Sequence, residues 1–431
     1  MTGDEQRAAP SDGFGVIARL SVLAMVVGLL AGAGASAYVA VQHHLTHFLW
    51  VGVPEALGLE AAPWWLVLTL PVVGGALTWG AMQLPGHGGH SPLDGLRLDI
   101  GPHQVASVLL AALASLSFGA VLGPEAPLVA IGTAVGAAVL RSPQHPARQV
   151  MMIVGAMAGA GAVLGNPLVT TILLLELALV GGAQVARPAV LLPSLVGLGS
   201  GYLLQVGVGP WTGLGDVQLS IKALPVYENV RLGDLLFGLV LAVVVALVAF
   251  LAQRAAGALA RAGRKLPLLL LLAAGLVTGL AAVLVTLVTG QSSTLVVFAG
   301  QTSMSAYLAL PTLGVAAVVL VGKFVAYVAC LGSGFKGGSL FPAIALGTIL
   351  ASMGGLVLGQ EAVPALAATA IAAAIAGGMR LPFTGALLGV LLTISAGPAI
   401  TVPAILGAVV GMLTRLAADQ GFAQPEPAVA G

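Results

Sequence analysis

The sequence predicts an all-α, polytopic membrane protein, and three observations lead to that fold class. Hydrophobic residues make up 58% of the 431 residues and charged residues only 7%, whereas soluble domains carry roughly 25% charged residues. The mean hydropathy is +1.06. Apolar segments recur along the chain at lengths near the about 20 residues that a membrane-spanning helix needs. A water-soluble globule is therefore excluded, and the net charge of +1 gives no basis for a nucleic-acid partner.

The 60 glycines and 25 prolines indicate that several helices are tilted, broken or partial. Membranes tolerate such breaks only where the backbone is buried in protein or lines a cavity. The single cysteine, Cys330, excludes an internal disulfide. We therefore expect a bundle of close-packed helices in which some segments do not cross the whole membrane.

Apolar segments are predicted at 15–41, 63–84, 104–122, 126–140, 149–164, 167–183, 187–206, 233–255, 266–290, 308–331, 339–358, 362–379, 383–398 and 401–417. The first segment is too long for the apolar part of a secretory signal peptide, so it is interpreted as a membrane helix. This order gives an N-terminal tail at 1–14, a first transmembrane repeat at 15–206, a polar connection at 207–232, a second repeat at 233–417 and a C-terminal tail at 418–431. No cytosolic regulatory domain is expected.

The two halves match when the sequence is shifted by 215 residues. Nine of the 23 residues at 111–133 are identical to the residues 215 positions later. The same shift places Pro127 on Pro342 and Pro167 on Pro382. Internal duplication is typical of transporter folds that carry a site between the repeats, although these identities leave the relative orientation of the repeats open.

The basic residues predict the orientation in the membrane. Arg254, Arg261, Arg264 and Lys265 cluster in one short connection, which the positive-inside rule places in the cytoplasm. The N-terminal tail is expected on the same side, and the plasma (inner) membrane is the expected location.

Two acidic residues lie deep among the apolar segments, Glu125 and Glu176. An ionised carboxylate at the centre of a bilayer costs at least ~2.5–3.5 kcal/mol, so such a residue is a functional candidate. Glu125 stands directly before an apolar run, where the free amides of a helix start favour either this carboxylate or an exogenous anion. We interpret Glu125 as a gate; the alternative is a simple N-terminal cap. Glu176 is either an inner proton acceptor or a residue of a cytoplasmic vestibule.

The matching position in the second half begins another helix after a glycine-rich stretch, residues 332–338. Glycine permits close backbone approach. The amides of Ser339, Leu340 and Phe341 are therefore expected to point at the same cavity, with Lys336 adding positive charge nearby. The alternative is a flexible glycine loop.

Five short segments, taken in order, resemble the motifs of one membrane protein family. Residues 123–127 (GPEAP) resemble GREGP, 338–342 (GSLFP) resemble GxFxP, and 88–92 (GGHSP) occupy the place of GSGIP. Residues 165–168 (GNPL) and 380–385 (RLPFTG) resemble the NAPLAG and RAPLTG turns of the two halves. Over about residues 15–417, the chain resembles the CLC family of chloride channels and chloride/proton antiporters.

The resemblance implies a homodimer in which each subunit has its own pore, built from two inverted repeats. It implies transport of chloride or a similar small anion, gated by Glu125, whose carboxylate competes with the anion and takes up protons. Glu176 is a candidate for the proton path on its own position, not through the resemblance. No cofactor and no metal are expected. The implied anion-binding residues are Gly89, His90, Ser91, Ala126, Ser339, Leu340 and Phe341.

The chain departs from the family pattern at four places. Gly89 stands where the family has the serine of its central site, and Pro124 replaces the arginine before the gate. Leu177 occupies the position of the inner proton-transfer glutamate, one residue beyond Glu176. No tyrosine follows Tyr327, so the C-terminal tyrosine of the central site has no counterpart. An uncoupled channel and a non-conducting membrane scaffold therefore remain alternatives to an antiporter.

Other classes of function have weaker support. His87 and His90 lack acidic or cysteine partners, so a metal site is disfavoured; His90 is either an ordinary loop residue or a donor to the anion. Residues 332–334 (GSG) superficially resemble the nucleophile turn of an intramembrane serine protease. Such an enzyme needs a histidine base near Ser333, and every histidine lies at or before position 145.

Overall fold

The computed structural model describes residues 13–95, 100–140, 142, 144–181, 187–212, 220–222 and 224–421. The predicted N-terminal tail up to residue 12, residues 213–219 and 223 of the polar connection, and the C-terminal tail from residue 422 lie outside the described residues. Within the described part the fold is all-α, without a β-strand. Its α-helices are α1 (Phe14–His47), α2 (Val53–Ala56), α3 (Trp64–Met82), α4 (Val105–Ser117), α5 (Glu125–Val139), α6 (Arg148–Leu164), α7 (Pro167–Gly181), α8 (Pro188–Thr212), α9 (Leu232–Ala262), α10 (Pro267–Thr289), α11 (Met304–Leu308), α12 (Leu313–Ser333), α13 (Leu340–Leu358), α14 (Val363–Met379), α15 (Pro382–Leu392) and α16 (Thr401–Gly421).

Nine helical spans in the described part of the chain are long and apolar enough to cross a membrane. Five further apolar helices, α4, α5, α6, α7 and α15, are shorter. Short apolar helices beside full spans are the partial helices that the glycine and proline content predicts. The chain is a multi-pass integral membrane protein.

The helix boundaries follow the internal duplication. Helices α5, α6 and α7 begin at residues 125, 148 and 167, and α13, α14 and α15 begin 215 residues later, at residues 340, 363 and 382. Helix α6 ends at Gly165 with φ +62° and α14 ends at its equivalent, Arg380, with φ +60°. Proline then occupies the first position of the next helix in both halves, where its missing N–H leaves no unsatisfied donor.

Several predicted segments differ from the helices in length. Segment 104–122 becomes a helix that ends at Ser117, and segment 383–398 becomes a helix that ends at Leu392 followed by short 3₁₀ turns. Helix α8 continues to Thr212, into the predicted polar connection. Apolar composition does not distinguish a helix from a buried extended segment, so these ends could not be read from the sequence.

The residues group into two compact units. The first comprises Met1–Leu219, Ala256–Gly300 and Val325–Pro342, and the second comprises Ser220–Ala255, Gln301–Phe324 and Ala343–Gly431. Each unit thus draws on both halves of the sequence. Glu125 and the start of α13 both belong to the first unit.

Small residues bring α5 and α6 into backbone contact within the first unit. A Cβ on Gly132 would overlap the carbonyl of Gly155, and a Cβ on Gly155 would overlap the carbonyl of Gly132. Small residues at helix interfaces allow this close approach in membranes. The contact therefore fixes α5, the helix that begins with Glu125.

The α5–α6 contact predicts that Gly132→Ala destabilises the fold. The added methyl group must push the two backbones apart, and overpacking of this kind costs about 1–3 kcal/mol. Thermal unfolding of the detergent-solubilised protein should show a lower Tm for this variant. Gly199→Ala, also in a helix, is the matched control because a Cβ there meets no atom within 4 Å. Equal Tm values for the two variants would contradict the inferred contact.

Candidate functional site

The site is built on a reciprocal backbone pair between two equivalent residues of the repeats. The amide of Gly123 donates to the carbonyl of Gly338 at 2.7 Å, and the amide of Gly338 donates back to the carbonyl of Gly123 at 2.5 Å. The two segments run antiparallel at this point. Reciprocal bonds between residues 215 positions apart are what a local two-fold axis between inverted repeats produces. The pair holds the starts of α5 and α13 next to each other.

Glu125 is the first residue of α5, and its carboxylate lies against this glycine pair. The residue is 6% exposed. Its Oε1 accepts a hydrogen bond from the amide of Phe341 at 3.3 Å, and the amide of Leu340 also faces the carboxylate. A Cβ on Gly338 would overlap the carboxylate, as would a Cβ on Gly123. Glycine at both positions is therefore required for the carboxylate to lie here.

Only one oxygen of the Glu125 carboxylate has a hydrogen-bond partner among the described residues. Its Oε2 is buried and has no hydrogen-bond partner among the residues that the structure describes. A buried, unpaired carboxylate oxygen is costly. The amides that hold Oε1 belong to the first turn of α13, where backbone N–H groups have no partner within the helix. Two helix starts thus supply the positive ends of their dipoles to one buried position.

Tyr327 is 1% exposed and packs at the start of α13. The hydroxyl of Tyr327 donates to the carbonyl of Ser339 at 3.2 Å. This bond fixes the residue immediately before α13 and so orients the amides that face Glu125.

The segment around Gly89 forms a second part of the site, joined to Lys336. The ammonium of Lys336 donates to the carbonyls of Gly89 at 3.0 Å and of His90 at 3.3 Å. The hydroxyl of Ser91 accepts from the amide of Leu93 and caps a short 3₁₀ turn. The hydroxyl of Ser91 is thus engaged within its own turn, and the carbonyls of Gly89 and His90 face a cation.

The predicted site residues fall into three groups. Glu125, Leu340 and Phe341 meet directly, with Ala126 and Ser339 as their chain neighbours. Gly89, His90 and Ser91 lie in the loop that Lys336 contacts. Glu176 is buried on α7, in a stretch whose Leu174 and Leu177 pack with the core of α1 and α6.

Sequence reasoning missed three polar residues that shape the site. In the sequence Tyr327 stands out only as the last tyrosine of the chain, and Ser107 and Ser115 do not stand out at all. The hydroxyl of Ser107 accepts from the amide of Gly88 at 2.8 Å, and that of Ser115 accepts from the amide of Lys336 at 2.9 Å. Serine on an apolar helix gives no signal of its partner, so only coordinates reveal these bonds.

His87 and Ser333 make local contacts. The ring of His87 contacts the carbonyl of Met82 through Nδ1 at 3.2 Å, and no group of three or more His, Cys, Asp or Glu side chains that could hold a metal ion occurs among the described residues. The hydroxyl of Ser333 donates to the carbonyl of Cys330, within its own helix.

Known proteins resemble this chain in sequence and in fold. The model of the voltage-gated chloride channel family matches residues 86–416. The putative ion-transport protein YfeO of Salmonella newport is 27% identical over 355 residues, which cover 80% of this chain and 82% of that protein.

Two solved structures share the fold over nearly the whole chain. A slow cyanobacterial Cl⁻/H⁺ antiporter superposes with a TM-score of 0.71 at 19% identity, covering 93% of this chain and 95% of that one. A CLC-type fluoride/proton antiporter superposes with a TM-score of 0.69 at 20% identity, covering 94% and 97%. Because the family model spans most of the sequence, the chain belongs to the voltage-gated chloride channel (CLC) family, whose members transport ions and are not enzymes.

Proposed function

We propose that this protein moves chloride or a similar small anion across the membrane and that the Glu125 carboxylate is its gate. The observation that carries the proposal is the bond from the Phe341 amide to Oε1 of Glu125, with Oε2 left without a partner. The carboxylate lies where backbone amides of a helix start would otherwise hold an exogenous anion. A carboxylate and a halide cannot occupy the same amides together, so the position of Glu125 decides whether the path is open.

Protonation offers a physical route for opening the gate. A neutral carboxyl group loses most of its attraction to the helix dipoles, and an entering anion then gains the amides that it releases. The proposed anion-lining groups are the amides of Ala126, Ser339, Leu340 and Phe341 and the loop of Gly89, His90 and Ser91. The two antiporter structures of similar fold, named for Cl⁻/H⁺ and for fluoride/proton exchange, support an anion as cargo and protons as the coupled ion.

We extend the proposal to a second residue on the proton path. Glu176 is, like Glu125, a buried acidic residue among the described residues of the first unit and is the proposed inner acceptor. The assembly proposed is a homodimer in the plasma membrane, each subunit with its own path. Each subunit then needs no partner residue to complete the site around Glu125.

Uncoupled anion flow is the second candidate, and specific residues favour it. Leu177 stands at the position of the family's inner proton acceptor, and Gly89 brings no hydroxyl to the loop. Backbone amides survive such changes, so conduction is retained even where stoichiometric coupling is lost. A scaffold without conduction is the remaining alternative, which anion-loaded liposomes test directly.

Removing the gate carboxylate should separate anion flux from proton movement. In chloride-loaded liposomes with a pH electrode, the wild-type protein is expected to release anions and to move protons against their gradient. Glu125→Ala should keep anion release and lose proton movement, because no titratable group then occupies the amides. Glu361→Ala, which removes an exposed carboxylate paired with Arg231, is the matched control and should behave as wild type.

Three results would count against parts of this account. Anion release without proton movement in the wild-type protein supports the uncoupled channel. Silence across Cl⁻, F⁻, NO₃⁻ and Br⁻ supports the scaffold. If Glu125→Ala still couples anion flux to proton movement, Glu125 is not the gate.

Gly338→Ala should open the gate without changing Glu125. The new Cβ overlaps the carboxylate, which is the movable end of a flexible side chain, so the carboxylate is expected to leave the Phe341 amide. Anion release should then resemble that of Glu125→Ala, and a structure of the variant should have Glu125 in another rotamer. Gly314→Ala is the control, since its Cβ meets no atom within 4 Å. Retention of the Glu125–Phe341 bond in Gly338→Ala would refute the steric argument.

A further inference from the structure

Lys336 is a buried cation within the first unit that the gate does not use. It lies in the connection between α12 and α13, two residues before Gly338, and is 7% exposed. Its Nζ donates to the carbonyl oxygens of Gly89 at 3.0 Å and of His90 at 3.3 Å. A lysine of a membrane protein ordinarily extends its ammonium towards water, so its enclosure here calls for a physical reason.

The backbone and stem of Lys336 are held in place from several sides. Its amide donates to Oγ of Ser115 at 2.9 Å, and that hydroxyl is itself bonded to the carbonyl of Ala111 and lies 3.0 Å from Oγ1 of Thr78. A Cβ on Gly88 would lie 2.9 Å from Cε of Lys336. The ammonium is thus fixed at one point beside the Gly89 loop.

No counter-charge neutralises this ammonium among the described residues. No salt bridge of the described part includes Lys336, and Asp94, the carboxylate that acts on it through space, is exposed and accepts the amide of Ser91. A buried charge without a partner is strongly unfavourable. An ammonium has three donors, and two of them are used by the carbonyls of Gly89 and His90. One N–H and one full positive charge are left for an anion.

We propose that Lys336 is a direct ligand of the transported anion, forming a second binding position with the Gly89 loop. This inference rests on the proposed function and names the group that gives the path its affinity and its preference for anions. The third N–H of the ammonium binds a small monovalent anion such as chloride, and the anion supplies the missing counter-charge. Gly89 brings no hydroxyl to this position, so the charge of Lys336 takes over the role of a side-chain donor.

A purely structural role for Lys336 makes a different prediction. In that case the side chain only ties the Gly89 loop to the start of α13 through two hydrogen bonds. A neutral donor of similar length would then serve equally well. Charge and hydrogen bonding can be separated with three substitutions at this one position.

The experiment compares Lys336→Arg, Lys336→Gln and Lys336→Met with the wild type in proteoliposomes. Initial chloride flux is measured over a series of chloride concentrations, and reversal potentials are measured in a potassium chloride gradient. Lys336→Arg keeps the charge and should keep the half-saturating concentration close to the wild-type value. Lys336→Gln and Lys336→Met should both raise that concentration about 10-fold to 100-fold, the loss expected for a charged hydrogen bond, and should weaken the preference for anions over cations.

The outcomes separate this inference from the proposed function. If the wild-type protein passes no anion, the proposed function fails, and the ligand role of Lys336 fails with it. If the wild type passes chloride and Lys336→Gln has wild-type half-saturation and selectivity, the ligand role alone is overturned, whatever Lys336→Met does. Size-exclusion profiles in detergent establish that each variant is folded.

A bromide soak of the wild-type protein provides a second test that needs no variant. Anomalous density within hydrogen-bond distance of Nζ of Lys336 is the expected result. Its absence there, in a protein that transports bromide, would overturn the inference even if the Gln and Met variants fail to fold.

Discussion

The reciprocal backbone bonds between Gly123 and Gly338 are the constraint on which the site depends. They join equivalent residues of the two repeats, so a single pair of hydrogen bonds brings together the starts of two helices far apart in sequence. Because neither glycine has a side chain, the Glu125 carboxylate can lie directly against the pair. Any larger residue at either position would move the carboxylate away from the amides of α13. The internal duplication, the two glycines and Glu125 therefore form a single site.

The gating that we propose for Glu125 has an electrostatic basis. Glu125 is itself buried, with 6% of the residue exposed, and electrostatic interactions are much stronger in a buried position than in water. The carboxylate nevertheless obtains a direct bond for only one of its oxygens. The carboxylate is therefore bound to the amides less firmly than it could be. This suits a conduction path, because conduction needs sites that bind favourably enough to admit an ion and weakly enough to release it. In our proposal, Lys336 at the Gly89 loop adds a second position at which an anion binds.

Much of the fold and the part of the site around Glu125 could be predicted from the sequence. A 215-residue shift identified the repeats, and the same shift relates the starts of α5, α6 and α7 to those of α13, α14 and α15. Glu125 could be singled out because an acid is rare among apolar segments, and its proximity to Phe341 followed from the matching positions. The end of α4 at Ser117 and the bonds of Lys336 to Gly89 and His90 could not be predicted. Both features depend on how an extended segment and a loop pack against the rest of the chain. The sequence of an apolar stretch or of a glycine does not indicate which residue it contacts.

The central claim is that the Glu125 carboxylate and the transported anion compete for the same backbone amides at the start of α13. The most direct measurement is the location of bromide by anomalous scattering in the wild-type protein and in Glu125→Gln. The account predicts bromide at the amides of Leu340 and Phe341 in the variant, where the neutral side chain yields the position, and none there in the wild type while the carboxylate holds Phe341. Bromide bound at those amides in the wild type with Glu125 unmoved, or no bromide there in the variant, would contradict the claim.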